Sequence, residues 1–319
     1  MSAAAPPGAA PQVPAVIIHA LNNLLGPWFI GIMISSVIFG VTCLQMYLYF
    51  SKFSAKDPVF LKVFVAFLLA IEVLHVVLLG VSYYTASITN FGNFVEIFLG
   101  PWSLRAQIVI GVFLGTMVQM FYAYRIYVLS HKSPWLSIVI ILTSIAALVC
   151  TIIYTYKASL IEKFDNNAEV VPWSTSSLSL EVACDIMITI GMVTNLWNGR
   201  TEFSKTNRAL HILITYTINT GALTMVFAAL TLIFWLASKT TLIYALFFFI
   251  LVRLYGCSFM SILNSRDYVR KQLNNHQMVT IPSNSTRTAH GSEAETKNIE
   301  TYGTLAFATP SHPSGFNAV

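Results

Sequence analysis

Apolar residues run along this chain in long blocks separated by short polar breaks. Seven blocks, roughly 28–50, 59–84, 104–129, 135–156, 174–197, 209–236 and 241–263, stand out. Each reaches the about 20 mostly apolar residues that a helix needs to cross the hydrocarbon of a bilayer. Pro27, Pro58, Pro101, Pro134 and Pro172 each stand immediately before a block. There the missing proline N–H costs nothing, because first-turn N–H groups are unpaired in any helix. All six tryptophans, Trp28, Trp102, Trp135, Trp173, Trp197 and Trp235, fall within a few residues of a block end. That is the headgroup level, where a half-apolar ring is best placed. The pattern predicts an all-α fold, a seven-transmembrane-helix bundle spanning residues 28–263.

The flanks differ in character. Residues 1–27 carry no charge and are rich in Ala and Pro. A secretory leader would need a basic stretch ahead of its apolar run, so the segment reads as an uncleaved extracellular tail, with Val16–Leu25 too short to span. Residues 264–319 are polar, rich in Ser and Thr, and poor in apolar groups, which predicts a disordered tail. Lys and Arg set the orientation. Thirteen of the 18 lie on one side, in loops 1–2, 3–4 and 5–6 and in the C-terminal tail, and four lie on the other. The N-terminus is therefore expected outside and the C-terminus in the cytoplasm. In that topology the Asn284-Ser285-Thr286 sequon is out of reach of glycosylation. The Ser/Thr-rich tail offers candidate phosphosites, and its start, Ser265 to Lys271, is basic enough to lie on an anionic inner leaflet.

Composition supports the membrane assignment. Charged residues make up 10% of the chain and the mean hydropathy is +0.69, against about 25% charge in a soluble domain. A net charge of +5 is too small to argue for nucleic-acid binding. All four cysteines, Cys43, Cys150, Cys184 and Cys257, fall within apolar blocks, so no structural disulfide is expected.

Function is best sought where the chain places charge in the membrane, at a cost of about 2.5–3.5 kcal/mol per group. Glu72 and His75 are central in span two, Glu181 and Asp185 lie in span five, and Arg253 is central in span seven. Glu72, Asp185 and Arg253 count out to similar depth, so they are expected to face one another, with Arg253 as counter-ion to at least one acid. Ser177, Glu181, Asp185 and Thr189 recur every four residues and share a helix face. His211, Thr215 and Asn219 do the same in span six. Glu72, His75, Glu181, Asp185, Asn219 and Arg253 thus form the candidate intramembrane polar cluster. Three acids against one arginine leave negative charge over, to be met by a protonated His75, by a neutral acid, or by a bound cation or proton. Gln119 is a lesser candidate, and Gly111 and Gly115 form a GxxxG that predicts a close helix contact.

Sharper chemistries fail on residue type. A metal hydrolase needs several converging His, Asp or Glu side chains, and Glu72-x-x-His75 is a single pair. No catalytic residue, cofactor or metal site is expected. A retinal protein needs a buried span-seven lysine for its Schiff base, where this chain has Arg253. A G-protein-coupled receptor is matched in span count and tail, but Tyr124-Arg125-Ile126-Tyr127 lacks a preceding acid, and span seven has no Asn-Pro. A transporter would show repeats or broken helices. Leu25-Gly26-Pro27-Trp28 and Leu99-Gly100-Pro101-Trp102 are a short echo, explained by shared interface chemistry.

Several motifs together resemble a known group. They are Gly26-Pro27 with Gly31, Gln45-x-Tyr47-x-Tyr49, and the run Gln119-x-Phe121-Tyr122-Ala123-Tyr124-Arg125-Ile126-Tyr127. Thr217-Ile218-Asn219-Thr220-Gly221-Ala222-Leu223-Thr224, Arg253-Leu254-Tyr255 and Leu263-Asn264-Ser265-Arg266 complete the set. From about Gly26 to Arg266 the chain resembles a family of uncharacterised seven-pass membrane proteins abundant in basidiomycete fungi. The resemblance implies the architecture and a fungal origin, and it carries no catalytic residue. The leading expectation is a receptor-like or sensory protein, placed in the plasma membrane, whose polar interior binds a small ligand or responds to protonation. A proton-coupled transporter and a structural protein with inert ion pairs are the alternatives. The expected partners are the lipid bilayer, a small-molecule ligand, and a cytoplasmic protein at the inner loops and tail.

Overall fold

The computed structural model describes residues 15–52, 57–91, 93, 100–130, 133–160, 169–198, 204–237 and 241–275, with 15–20, 204–213 and 266–275 as backbone alone. These residues belong to the first of two compact units, 1–279; the second, 280–319, lies outside the described residues. So do the sequon at Asn284 and seven of the 17 lysines and arginines that the orientation rests on, and likewise the side chain of His211.

Among the described residues all regular structure is helical. The helices are α1 (Ala15–Lys52), α2 (Val59–Tyr84), α3 (Trp102–Leu129), α4 (Trp135–Leu160), α5 (Val171–Asn198), α6 (Ser204–Ala237) and α7 (Ile243–Asn275). Thr85–Thr89 prolongs α2 as a π-helical turn. All seven are long and apolar enough to cross a membrane. The chain is a multi-pass membrane protein.

Each helix packs against its neighbour in sequence, and α7 closes the ring against α1. Helices α3 and α7 also meet across the middle. The central position of α7 shows in its burial, since Phe248 to Tyr255 are buried without a break. The outer helices bury only a stripe. In α1 the stripe is Leu24, Trp28, Gly31, Ser35, Thr42, Met46 and Tyr49, while Phe29, Ile30, Met33, Val37, Val41 and Leu44 are exposed. The buried set repeats every three or four residues, and the exposed apolar set is the surface that lipid solvates.

Two expectations change at the N-terminal end. Helix α1 does not begin at Pro27 but runs through it from Ala15. A helical residue 27 would donate to the carbonyl of residue 23, which proline cannot do. The Asn23 carbonyl instead accepts the backbone N–H of Leu242, at 3.4 Å, just ahead of α7. A tertiary contact thus takes up the acceptor that the proline leaves. Trp28 is consequently well inside the helix and fully buried, edge-on to Tyr83 at 5.8 Å, rather than at the headgroups. Trp102, Trp135 and Trp197 are more than half exposed near helix ends, as interface anchors should be.

Small residues bring the helices together, because lipid gives little hydrophobic drive to helix association. A Cβ at Gly31 would lie 2.9 Å from Phe249 and 3.0 Å from the Cα of Leu246, so α1 and α7 touch at backbone level. Gly40, on the same helix, faces open space. Gly31→Ala is therefore expected to destabilise the protein by about 1–3 kcal/mol through overpacking. Gly40→Ala should leave it unchanged or slightly more stable, as alanine is the better helix former by up to about 1 kcal/mol. Thermal unfolding in detergent, followed by tryptophan fluorescence, checks the pair.

Candidate functional site

The ionisable residues of the interior fall into two groups on opposite sides of α7. Residues two apart on a helix point about 200° away from each other, and Arg253 and Tyr255 are such a pair.

The first group is closed. Arg253 is fully buried, and its Nη1 donates to Glu72 Oε2 at 2.8 Å and to the Glu72 carbonyl at 3.2 Å. Its Nη2 donates to His75 Nδ1, and its guanidinium carbon lies 5.4 Å from the centre of the Phe39 ring, a cation–π distance. Glu72 and His75 are three apart on α2, one above the other on the face turned to α7. Since arginine can only donate, Nδ1 must accept and the ring proton sits on Nε2. That rules His75 out as the extra cation for the surplus acids. Gly256 makes room for this group, because a Cβ there would collide with Glu72 Oε1. Gly111 does so from α3, where a Cβ would come within 3.2 Å of His75 Nε2. The pair holds α2 to α7, and Glu72 Oε1 and Arg253 Nε have no hydrogen-bond partner among the described residues.

The second group is open. Asp185, on α5, accepts from Gln119 Nε2 at 3.1 Å on Oδ1 and from the Tyr255 hydroxyl at 3.0 Å on Oδ2. Gln119 in turn accepts from Ser144 at 2.7 Å, so α3, α4, α5 and α7 join in one buried network. Gly115 permits it: a Cβ there would stand 3.1 Å from the Tyr255 ring, which crosses α3 at this point to reach α5. Arg253 is not part of this network, so the expected facing of Asp185 and Arg253 is not observed. One turn from Asp185, Glu181 is 4% exposed, and its Oε2 has no hydrogen-bond partner among the described residues.

Two small cavities flank these acids. One, of about 30 Å³, opens beside Asp185 toward the end where α6 begins, and is lined by Gln119, Tyr122, Thr217, Thr220, Thr224 and Ser258 among others. The other, of about 50 Å³, lies toward the starts of α5 and α7, among Thr151, Ser174, Ser177, Thr231, Tyr154 and Tyr244. Ser177, whose hydroxyl is 2.6 Å from that of Thr151, Glu181 and Asp185 thus form one row that reaches from one cavity to the other. Such volumes hold on the order of a few waters, far below the roughly 300 Å³ of a drug-sized ligand pocket.

Of the six candidates, five are buried in these groups: Glu72, His75 and Arg253 in one, Glu181 and Asp185 in the other. Asn219 is exposed, and so is Thr215. The described part of the polar stripe expected on the inner face of α6, Thr215 and Asn219, points outward. Thr217, Thr220 and Thr224, on the other register, line the cavity instead. Fours-spacing alone selects a face without saying which way it turns. Tyr255 and Ser144 went unselected because a hydroxyl in an apolar run is too common to signal a role.

Removing one partner of the network should strand another. Gln119→Leu leaves Asp185 Oδ1 and Ser144 without partners and is expected to cost about 1–3 kcal/mol. Ser144→Ala, which frees only Gln119 Oε1 while Gln119 Nε2 still donates to Asp185, should cost less. Chemical or thermal denaturation of the two variants side by side gives the comparison.

Residues 181–268 match a family model described as a family of unknown function (DUF6534). The match takes in Glu181, Asp185, Arg253 and Tyr255, and leaves out Glu72 and His75. No curated protein and no solved structure matches the chain. The matched segment and the seven apolar helices together fit an uncharacterised membrane family.

Proposed function

We infer that this is a sensory, receptor-like membrane protein whose response element is the Glu181–Asp185 pair, and that the signal is protonation rather than a bulky organic ligand. One observation carries the reading. Two buried carboxylates stand a turn apart between two water-sized cavities, while the only fully buried Lys or Arg among the described residues is bound to a different acid. Two uncompensated charges at that depth are costly, and a proton is the smallest species that can relieve them. Among the described residues the groups facing the pair are hydroxyls, an amide and a thiol: Tyr255 from α7, Gln119 and Tyr122 from α3, Thr224 from α6, and Cys184 beside them on α5. None is a cation. The cavities are too small for the larger ligand that the chain pattern also allowed.

A second reading, proton-coupled transport, has a specific support of its own, since a cavity lies on either side of Glu181. In either case, the cation distribution along the chain orients the N-terminus outward in a plasma membrane, with the inner loops and tail as the surface for a cytoplasmic partner. The motif resemblance supports a basidiomycete source.

The test is infrared difference spectroscopy of the purified protein across a pH titration. A carboxylic-acid C=O band that rises and falls with pH, disappears in Glu181→Gln and shifts in Asp185→Asn is the expected result. A spectrum without such a band, or one unchanged in Glu181→Gln, contradicts the reading. Proteoliposomes separate the two roles: solute uptake that is driven by a pH gradient and lost in Asp185→Asn assigns transport.

A further inference from the structure

The cavity beside Asp185 is lined by one carboxylate and several hydroxyl oxygens. Thr220 spends its hydroxyl hydrogen on the carbonyl of Tyr216 at 2.8 Å, and the Thr224 hydroxyl lies 3.1 Å from that of Gly221 and within hydrogen-bond reach of Asp185. Back-bonds of this kind are the usual habit of threonine in a helix, and in either arrangement the hydroxyl oxygen remains an acceptor. Asp185 adds a carboxylate. The hydroxyl oxygens of Thr217 and Tyr122, in residues 4% and 9% exposed, line the same cavity without a hydrogen-bond partner among the described residues. No Lys, Arg or His is among the described lining residues.

With a carboxylate in the lining and no basic side chain among its described residues, the cavity disfavours an anion, and hydroxyls free to rotate can turn their oxygens toward a cation. Hard cations take oxygen ligands, carboxylate and neutral oxygens together. The space, about 30 Å³, admits one small ion with at most a water or two. We propose that this cavity is a binding site for a single sodium-sized monovalent cation, held by Asp185 with Thr217, Thr220, Thr224 and Tyr122 as oxygen ligands. The proposal rests on the reading of the Glu181–Asp185 pair as the response element, and it adds a competitor: cation and proton would neutralise the same carboxylate, so each would weaken the binding of the other.

Thermal unfolding of the full chain in nanodiscs, in sodium chloride against choline chloride at equal ionic strength and neutral pH, tests it. Sodium should raise the midpoint in a saturable way, as any ligand of the folded state does. The rise should vanish in Asp185→Asn. Should that variant not fold, Thr217→Val, nearly the same in shape, should still fold and bind sodium at least about tenfold more weakly, seen as a shift in the concentration giving half of the rise. Equal midpoints in the two salts, or a sodium effect unaltered in both variants, would overturn the site. A Glu181-dependent carboxyl band without a sodium effect removes this proposal alone, whereas a sodium effect without that band removes the protonation reading alone.

Discussion

The ion pair between Arg253 and Glu72 is the constraint on which the remaining geometry depends. Guanidinium and carboxylate are both fully buried at the middle of the bundle, 2.8 Å apart. Neither can be there without the other, because the desolvation of one charge is offset only by the field of its partner at that depth. The contact fixes how α7 is rotated. With Arg253 turned to α2, the residue two further on is turned to α3 and α5, and that residue is Tyr255, the donor to Asp185. One side of α7 is thereby spent on holding the bundle together, and the other is free to present a polar surface to the two cavities.

The contrast between the two sides is what gives the second one functional interest. Around Arg253 the carboxylate and guanidinium charges are matched, and glycines let the helices close. Around Asp185 the same chain accepts two acids without a cation, and keeps hydroxyls and space beside them. Polar groups that merely join membrane helices contribute on the order of 0.6 kcal/mol per bond, and the Thr151–Ser177 contact is of that kind. Two buried acids a turn apart with no cation paired to either among the described residues, as at Glu181 and Asp185, are not.

The fold was largely legible in the chain, because seven runs of apolar residues leave a bilayer-spanning helix few alternatives. Pro58 and Pro101 do precede α2 and α3. Pro27 misled, because its effect depends on Leu242, more than two hundred residues away and joined to it only by folding. The site was legible in part. Charge in an apolar run is rare enough to single out Glu72, His75, Glu181, Asp185 and Arg253, and all five are inside. Which acid holds the arginine could not be read, since residue counting gives depth but not rotation about the helix axis. Asn219 failed for the same reason: its depth is right and its face is wrong. The glycines at 111 and 115 suggested close contact, but what they make room for, an imidazole and a tyrosine ring, is a property of the assembled bundle, as is the room that Gly256 leaves for the Glu72 carboxylate.

A double-mutant cycle between Glu72 and Arg253, read as unfolding free energy in a bilayer mimic, bears most directly on this picture. Glu72→Gln and Arg253→Met should each destabilise strongly, by about 3–5 kcal/mol for a broken buried pair. The double variant should lose much less than the two losses combined, since it leaves no charge stranded. Strictly additive losses would mean that the two side chains do not feel each other, and the arrangement of α7 described here would then be wrong.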